Sequence, residues 1–167
     1  FIFEIGDLRR SIFLTKTLWQ EPPRLRHQLA RLLVGAGHEV VFFQKPCYPW
    51  QKAPLSPSTE EGIHFHRHQE FIHHKLRHTK LLYHANAAWV KKTISRTAKE
   101  LRFNPDDVVV NFNYEYGFLR DIFPRNLLIT IINDDFWSSA LLGYEKPLKR
   151  ALELTCKSSN FVLTVSK

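Results

Sequence analysis

Residues 127–139 read LLITIINDDFWSS, and this stretch decides the fold. Six apolar or β-branched residues, Leu127 to Ile132, run unbroken and stop at Asn133, Asp134 and Asp135. Such a run bounded by polar residues predicts a strand buried on both faces, as in a parallel sheet. In open parallel sheets ligands bind beyond the carboxyl ends of the strands, so both aspartates fall on the edge where chemistry is expected. Being adjacent in an extended segment, they point in different directions. One is expected to enter a cleft, as a general base or a partner for an acceptor hydroxyl. The other suits capping of the next turn.

Working outward, Asp107 to Phe112 (DVVVNF) is a second buried-strand run, ending in the polar, aromatic loop Asn113-Tyr114-Glu115-Tyr116-Gly117. A short helix from Phe118 to Phe123 closes at Pro124 and leads into the opening strand. Beyond that strand, the pattern predicts a loop over 136–143, a helix from about Pro147 to Ser159, and a last strand, Phe161 to Val165. Upstream, Phe1 to Ile5 is a short apolar run, and Ser11 to Leu18 (SIFLTKTL) is the better strand, followed by the loop Trp19-Gln20-Glu21-Pro22-Pro23. From Arg24 the period becomes helical, with Leu25, Leu29, Leu32 and Leu33 on one face. Pro22 and Pro23 suit the helix entry, and Gly35 or Gly37 its end. Glu39 to Phe43 (EVVFF) is the next strand, which completes a βαβ unit. Gln44 to Glu61 reads as a long loop, Gly62 to Arg67 as a short strand, and Phe71 to Leu101 as one helix or two, with a break near Asn86. The alternation predicts an α/β fold, a Rossmann-like three-layer domain with a mostly parallel sheet.

At 167 residues the chain is most simply one domain. It holds no Met and stops just after a strand-like run, which reads as the N-terminal portion of a two-domain protein. No apolar run approaches the roughly 20 residues needed to span a bilayer. Two distant cysteines, Cys47 and Cys156, suggest free thiols in a reducing, cytoplasmic compartment. A net charge of +8 favours anionic partners such as phosphates or an acidic membrane surface.

Several signatures are absent. There is no GxxxxGK[ST], GxSxG, HExxH or zinc-spaced Cys/His set. Gly35-Ala36-Gly37 ends a helix rather than opening one, so it cannot cradle a pyrophosphate. Seven of the nine histidines fall between His64 and His84, with His64, His66 and His68 on one strand face and His74 and His78 at i, i+4. No Cys or carboxylate completes a ligand set, so neither a metal nor a cofactor is expected. With Lys75, Arg77 and Lys80 the cluster suits an anionic surface.

Other candidates sit at the same carboxyl edge. Trp19 offers an aromatic face for a sugar or base, Glu21 shares its loop, and Arg24 and Arg26 offer forked donors for phosphate. The alternative is that Trp19 packs the helix entry and the arginines are solvated. Asn113, Tyr114 and Glu115 suit hydrogen bonding to hydroxyls, with Glu115 able to take a proton.

The segment WQEPPRLRHQLARLLVGAGHEVVFF resembles the opening of GT-B glycosyltransferases, and INDDFWSS, Glu153 and SNFVLTVSK resemble bacterial group 4-type members of that superfamily. The resemblance implies two Rossmann-like domains facing one cleft, this chain being the acceptor-side N-terminal domain and inactive alone. It implies a nucleotide-diphosphate sugar donor held mainly by the other domain and a glycan or lipid-linked acceptor. Nucleic acid is not an expected partner. Asp134 or Asp135 matches the acidic strand end, and the Thr17 to Pro23 loop matches the loop beneath the donor phosphates. This chain lacks the glycines common in that loop. The resemblance favours retention at the anomeric carbon, which needs no classical nucleophile. It points to cell-envelope polysaccharide synthesis at the inner face of the membrane. A non-catalytic sugar- or nucleotide-binding module and a receiver-type signalling domain are the alternatives, although the receiver's acidic pair is missing from the first strand.

Overall fold

The computed structural model describes residues 10–51, 58–73, 76, 77, 79–132 and 145–164. Along the chain run β1 (Arg10–Leu14), α1 (Leu25–Gly35), β2 (Glu39–Phe43), β3 (Ser58–Glu60), β4 (Ile63–His66) and α2 (Lys80–Glu100). They are followed by β5 (Val108–Asn111), α3 (Leu119–Ile122), β6 (Leu127–Ile132), α4 (Glu145–Ser158) and β7 (Phe161–Thr164). One seven-stranded sheet has the order β3-β4-β2-β1-β5-β6-β7, with every pairing parallel except β3 with β4. The chain is an α/β protein of Rossmann-like, three-layer form.

β1 is central because both of its faces are apolar, and Ile12, Phe13 and Leu14 are fully buried. Alternation divides them: Phe13 joins Val40, Phe42, Ile63 and Phe65 beneath α1. Ile12 and Leu14 join Val41, Phe43 and Val109 beneath α2 and α3. The chain passes from β1 outward through β2 to β4, then returns across the sheet to β5 and continues to β6 and β7. Order therefore reverses between β1 and β5, which opens a crevice at their carboxyl ends.

Local chemistry accounts for the boundaries. β1 ends at Leu14, short of the expected Leu18, because the next residues bond sideways: Thr15 Oγ1 donates to Phe43 O (2.9 Å) and Lys45 N–H to Thr17 O (2.9 Å). α1 stops at a left-handed Gly37 (φ +86°), whose N–H donates to Val34 O at 2.9 Å while His38 N–H reaches Leu33 O. The Gly35-Ala36-Gly37 run is thus a helix cap. α2 is one helix rather than two, and it begins later than the expected Phe71, at the cap Thr79. Asn86 does not break it. Its buried Oδ1 accepts the N–H groups of Phe71 (3.0 Å) and Ile72 (2.9 Å), so it fastens the incoming chain to the helix. β3 lies inside the span expected to be loop.

Candidate functional site

Three chain connections, β1–α1, β4–α2 and β5–α3, converge at the crevice between β1 and β5. Lys16 follows β1, Glu70 follows β4, Arg77 lies just before α2, and Glu115 follows β5. Lys16 Nζ and Arg77 Nη1 (3.3 Å) both pair with Glu115 Oε2, and Arg77 Nη2 pairs with Glu70 Oε2. Arg77 Nε donates to Ile72 O at 2.7 Å. The Arg77 and Glu70 side chains are 4% and 7% exposed, that of Glu115 13% and that of Lys16 34%, so the network opens to solvent at the lysine.

Two cations and two carboxylates balance, as burial requires. Burial works against the Lys16 charge, but Glu115, Tyr114 and Glu70 more than offset it and raise its pKa above that of an ordinary lysine. Arg77 is held charged in the same way, by Glu115, Glu70 and Tyr48 against its burial. The Lys16 ammonium also lies 5.1 Å from the Tyr114 ring centre. Behind the network, His68 Nε2 and the Tyr116 hydroxyl share a buried hydrogen bond. Burial, aided by Lys16, lowers the His68 pKa to about 3, so its ring is neutral. Burial raises the Tyr116 hydroxyl well above its ordinary value, with Glu70 and Glu115 adding to the shift.

The residues expected to contact ligands divide. Trp19 is 5% exposed and packs on Phe42, Phe65 and His27, with the Arg31 guanidinium 4.8 Å from its ring centre. Its indole is core, which corrects the expectation of a sugar-facing ring. Glu21 Oε1 accepts Leu18 N–H (3.1 Å) and thereby holds its own loop. Arg24 is the exposed N-cap of α1, where its N–H donates to His27 Nδ1 (3.0 Å). Arg26 is buried beside Phe112 rather than solvated. Asn113 is fully buried and folds its loop: its Oδ1 accepts Glu115 N–H (3.0 Å) and its N–H donates to Asn111 Oδ1 (2.9 Å). Tyr114 and Glu115 do reach the crevice. Asp134 and Asp135 lie outside the described residues.

The histidine expectation is also revised. β4 ends at His66, so His68 leaves the shared face and is buried against Tyr116. Arg77, read from the sequence as part of a basic surface, is buried in ion pairs. His74, Lys75 and His78 lie outside the described residues, among which no group of His, Cys, Asp or Glu could hold a metal. Both described cysteines are free thiols.

Sequence reasoning missed Lys16, Glu70, Arg77 and the His68–Tyr116 pair. Lys16 carried a signal, since lysine inside an apparent buried strand needs a partner. The other partners are separated from Glu115 by tens of residues and had no local mark.

No protein-family model and no curated protein matches the sequence. Solved structures do. One of sucrose-phosphate synthase from Thermosynechococcus elongatus matches with a TM-score of 0.64 and 12% identity, covering 95% of this chain and 77% of that one. A second structure of that synthase gives 0.66 at 11% identity, covering 93% and 42%. An alpha,alpha-trehalose-phosphate synthase (UDP-forming) from Burkholderia vietnamiensis gives 0.56 at 11% identity, covering 92% and 39%. The chain spans less than half of the latter two, and what it shares with all three is the fold.

Proposed function

We propose that this chain is the acceptor-side half of a GT-B glycosyltransferase that moves a sugar from a nucleotide-diphosphate donor to a hydroxyl of a glycan or lipid-linked acceptor. The fold is that of sucrose-phosphate and trehalose-phosphate synthases, which are GT-B glycosyltransferases. The observation that carries the reading is the meeting of Lys16, Glu70, Arg77 and Glu115 at the switch point, where α/β sheets bind ligands. In this reading Lys16 and Tyr114 face the ligand, Lys16 neutralising phosphate charge and Glu115 holding Lys16 in place. Arg24, exposed at the start of α1, offers a further cation to phosphate, and the buried Arg26 supports the packing beside Phe112. One of Asp134 and Asp135 serves as the carboxylate for an acceptor hydroxyl, and Trp19, Glu21 and Asn113 shape the loops. The donor is held mainly by a second domain. The protein works in the cytoplasm, against the anionic inner face of the membrane; no helix of the described residues is long and apolar enough to cross it.

A non-catalytic sugar- or nucleotide-binding module is the second reading, favoured by the engagement of Glu115 with two cations. The full-length protein incubated with UDP- and GDP-hexoses and oligosaccharide acceptors should release nucleoside diphosphate and extend the acceptor, with residues 1–167 alone inactive. Binding of these donors without any transfer would favour the module.

A further inference from the structure

The edge that buries Trp19 presents a different tryptophan. Trp50 is 63% exposed, and its ring lies parallel to that of Tyr48, 4.9 Å away and 5° from coplanar. One face is therefore covered and the other free. The pair sits on a tight turn: Gln51 N–H donates to Tyr48 O (2.9 Å), and Tyr48 N–H donates back to Gln51 Oε1 (2.9 Å). Pro49 occupies the second position, where proline pre-sets the backbone. The turn is anchored to the charged network, since Cys47 N–H donates to His68 O (3.1 Å) and Glu70 N–H to Cys47 O (3.0 Å). The Tyr48 ring also packs on His73, 5.6 Å away. The result is a flat, rigid, half-covered aromatic plate at the carboxyl edge, one short loop from Glu70 and Arg77.

We infer that the Tyr48–Trp50 plate is a sugar-stacking subsite for the acceptor, taking the apolar face of a pyranose ring on the outer face of Trp50; this rests on the transferase reading above. A pyranose has an apolar C–H face and a rim of hydroxyls. A flat aromatic surface matches the C–H face. Rigid aromatic anchors bind with little loss of side-chain freedom, and the turn has already fixed this one. Exposed apolar side chains scattered singly need no explanation. This one differs because a proline, a reciprocal hydrogen bond and a stacked partner all hold its orientation.

The test uses the full-length protein with methyl β-glucopyranoside, methyl β-galactopyranoside and maltose as probes, read by ligand-observed NMR titration. Trp50→Ala should weaken binding of at least one probe about tenfold, while Trp50→Phe stays within about threefold. The unfolding midpoint should not move in either variant, because the ring is exposed. In a transfer assay Trp50→Ala should raise the acceptor KM and leave the donor KM unchanged. Parent-like glycoside binding by Trp50→Ala, or no binding of any probe by the parent, overturns the inference. So does loss of sedimentation with phosphatidylglycerol vesicles in Trp50→Ala while glycoside binding persists, which would assign the residue to a membrane surface. Trp50-dependent glycoside binding without any transfer supports the plate and overturns the transferase reading.

Discussion

Two loops leave neighbouring strands at the same edge and use their polar residues differently. In the loop after β1, from Thr17 to Pro23, Glu21 accepts Leu18 N–H, His27 contacts Leu18 O (3.3 Å) and Gln44 Oε1 accepts Trp19 N–H (2.9 Å). Its polar groups are directed inward, and its tryptophan is core. In the loop after β5, Asn113 folds the backbone so that Glu115 projects to Lys16 and Arg77, which come from two other connections. The first loop spends its polar groups on its own turn and on neighbours in α1 and after β2, whereas the second is the hub of the charged network. Residue type at an edge therefore does not identify a ligand contact. What matters is whether local bonds have already used the side chain.

The largest effect should come from breaking the hub. Arg77→Ala leaves Glu70 and Glu115 short of a buried cation, and removing one partner of a buried pair costs about 3–5 kcal/mol. Urea unfolding measures this directly, and a loss below about 1 kcal/mol would show the network to be solvated after all.

Next comes pH. His68 has a folded pKa of about 3 against an ordinary 6.5, because burial, and then Lys16, disfavour its charged form. The unfolded chain therefore binds the extra proton first. The stability that a neutral His68 contributes is complete above about pH 6.5 and is lost as pH falls toward 3. His68→Gln should flatten the fall in unfolding free energy across that window. An unchanged slope would remove His68 as its source.

A smaller effect is expected where the second loop meets α4. A Cβ on Gly117 would lie 2.8 Å from Leu154 Cβ and 3.3 Å from the Thr155 nitrogen. Gly117→Ala should therefore cost about 1–3 kcal/mol by overpacking. Thermal unfolding checks it, and a neutral result would mean that α4 gives way. Smallest of these, Glu21→Ala in the loop after β1 removes one hydrogen bond to a backbone N–H and should cost about 0.5–1.5 kcal/mol. Ligand binding by that variant should match the parent, and a specific binding loss would place Glu21 in contact with ligand.

The strands were legible because buried parallel strands are written locally. EVVFF is β2, LLITII is β6, and the run ending at Gly37 is a cap in both readings. Asn86 was misread as a break because its role is tertiary: its carboxamide serves Phe71 and Ile72, residues outside its helix. β3 escaped notice because STE is short, exposed and held only by pairing with β4. The site was half legible. Tyr114 and Glu115 could be placed at the crevice from their position at a strand end, whereas Arg77 meets Glu115 from a distant segment and Glu70 joins only through Arg77.

The measurement that most directly tests the charged crevice as the working site is steady-state transfer by Lys16→Ala in the full-length protein. Lys16 is the most exposed member of the network, and Glu115 keeps Arg77 when it is removed. Loss of a preorganised cation at developing phosphate charge should lower kcat/KM about 10²–10³-fold, with unfolding little changed. Parent-like kcat/KM in a folded Lys16→Ala protein would contradict the account.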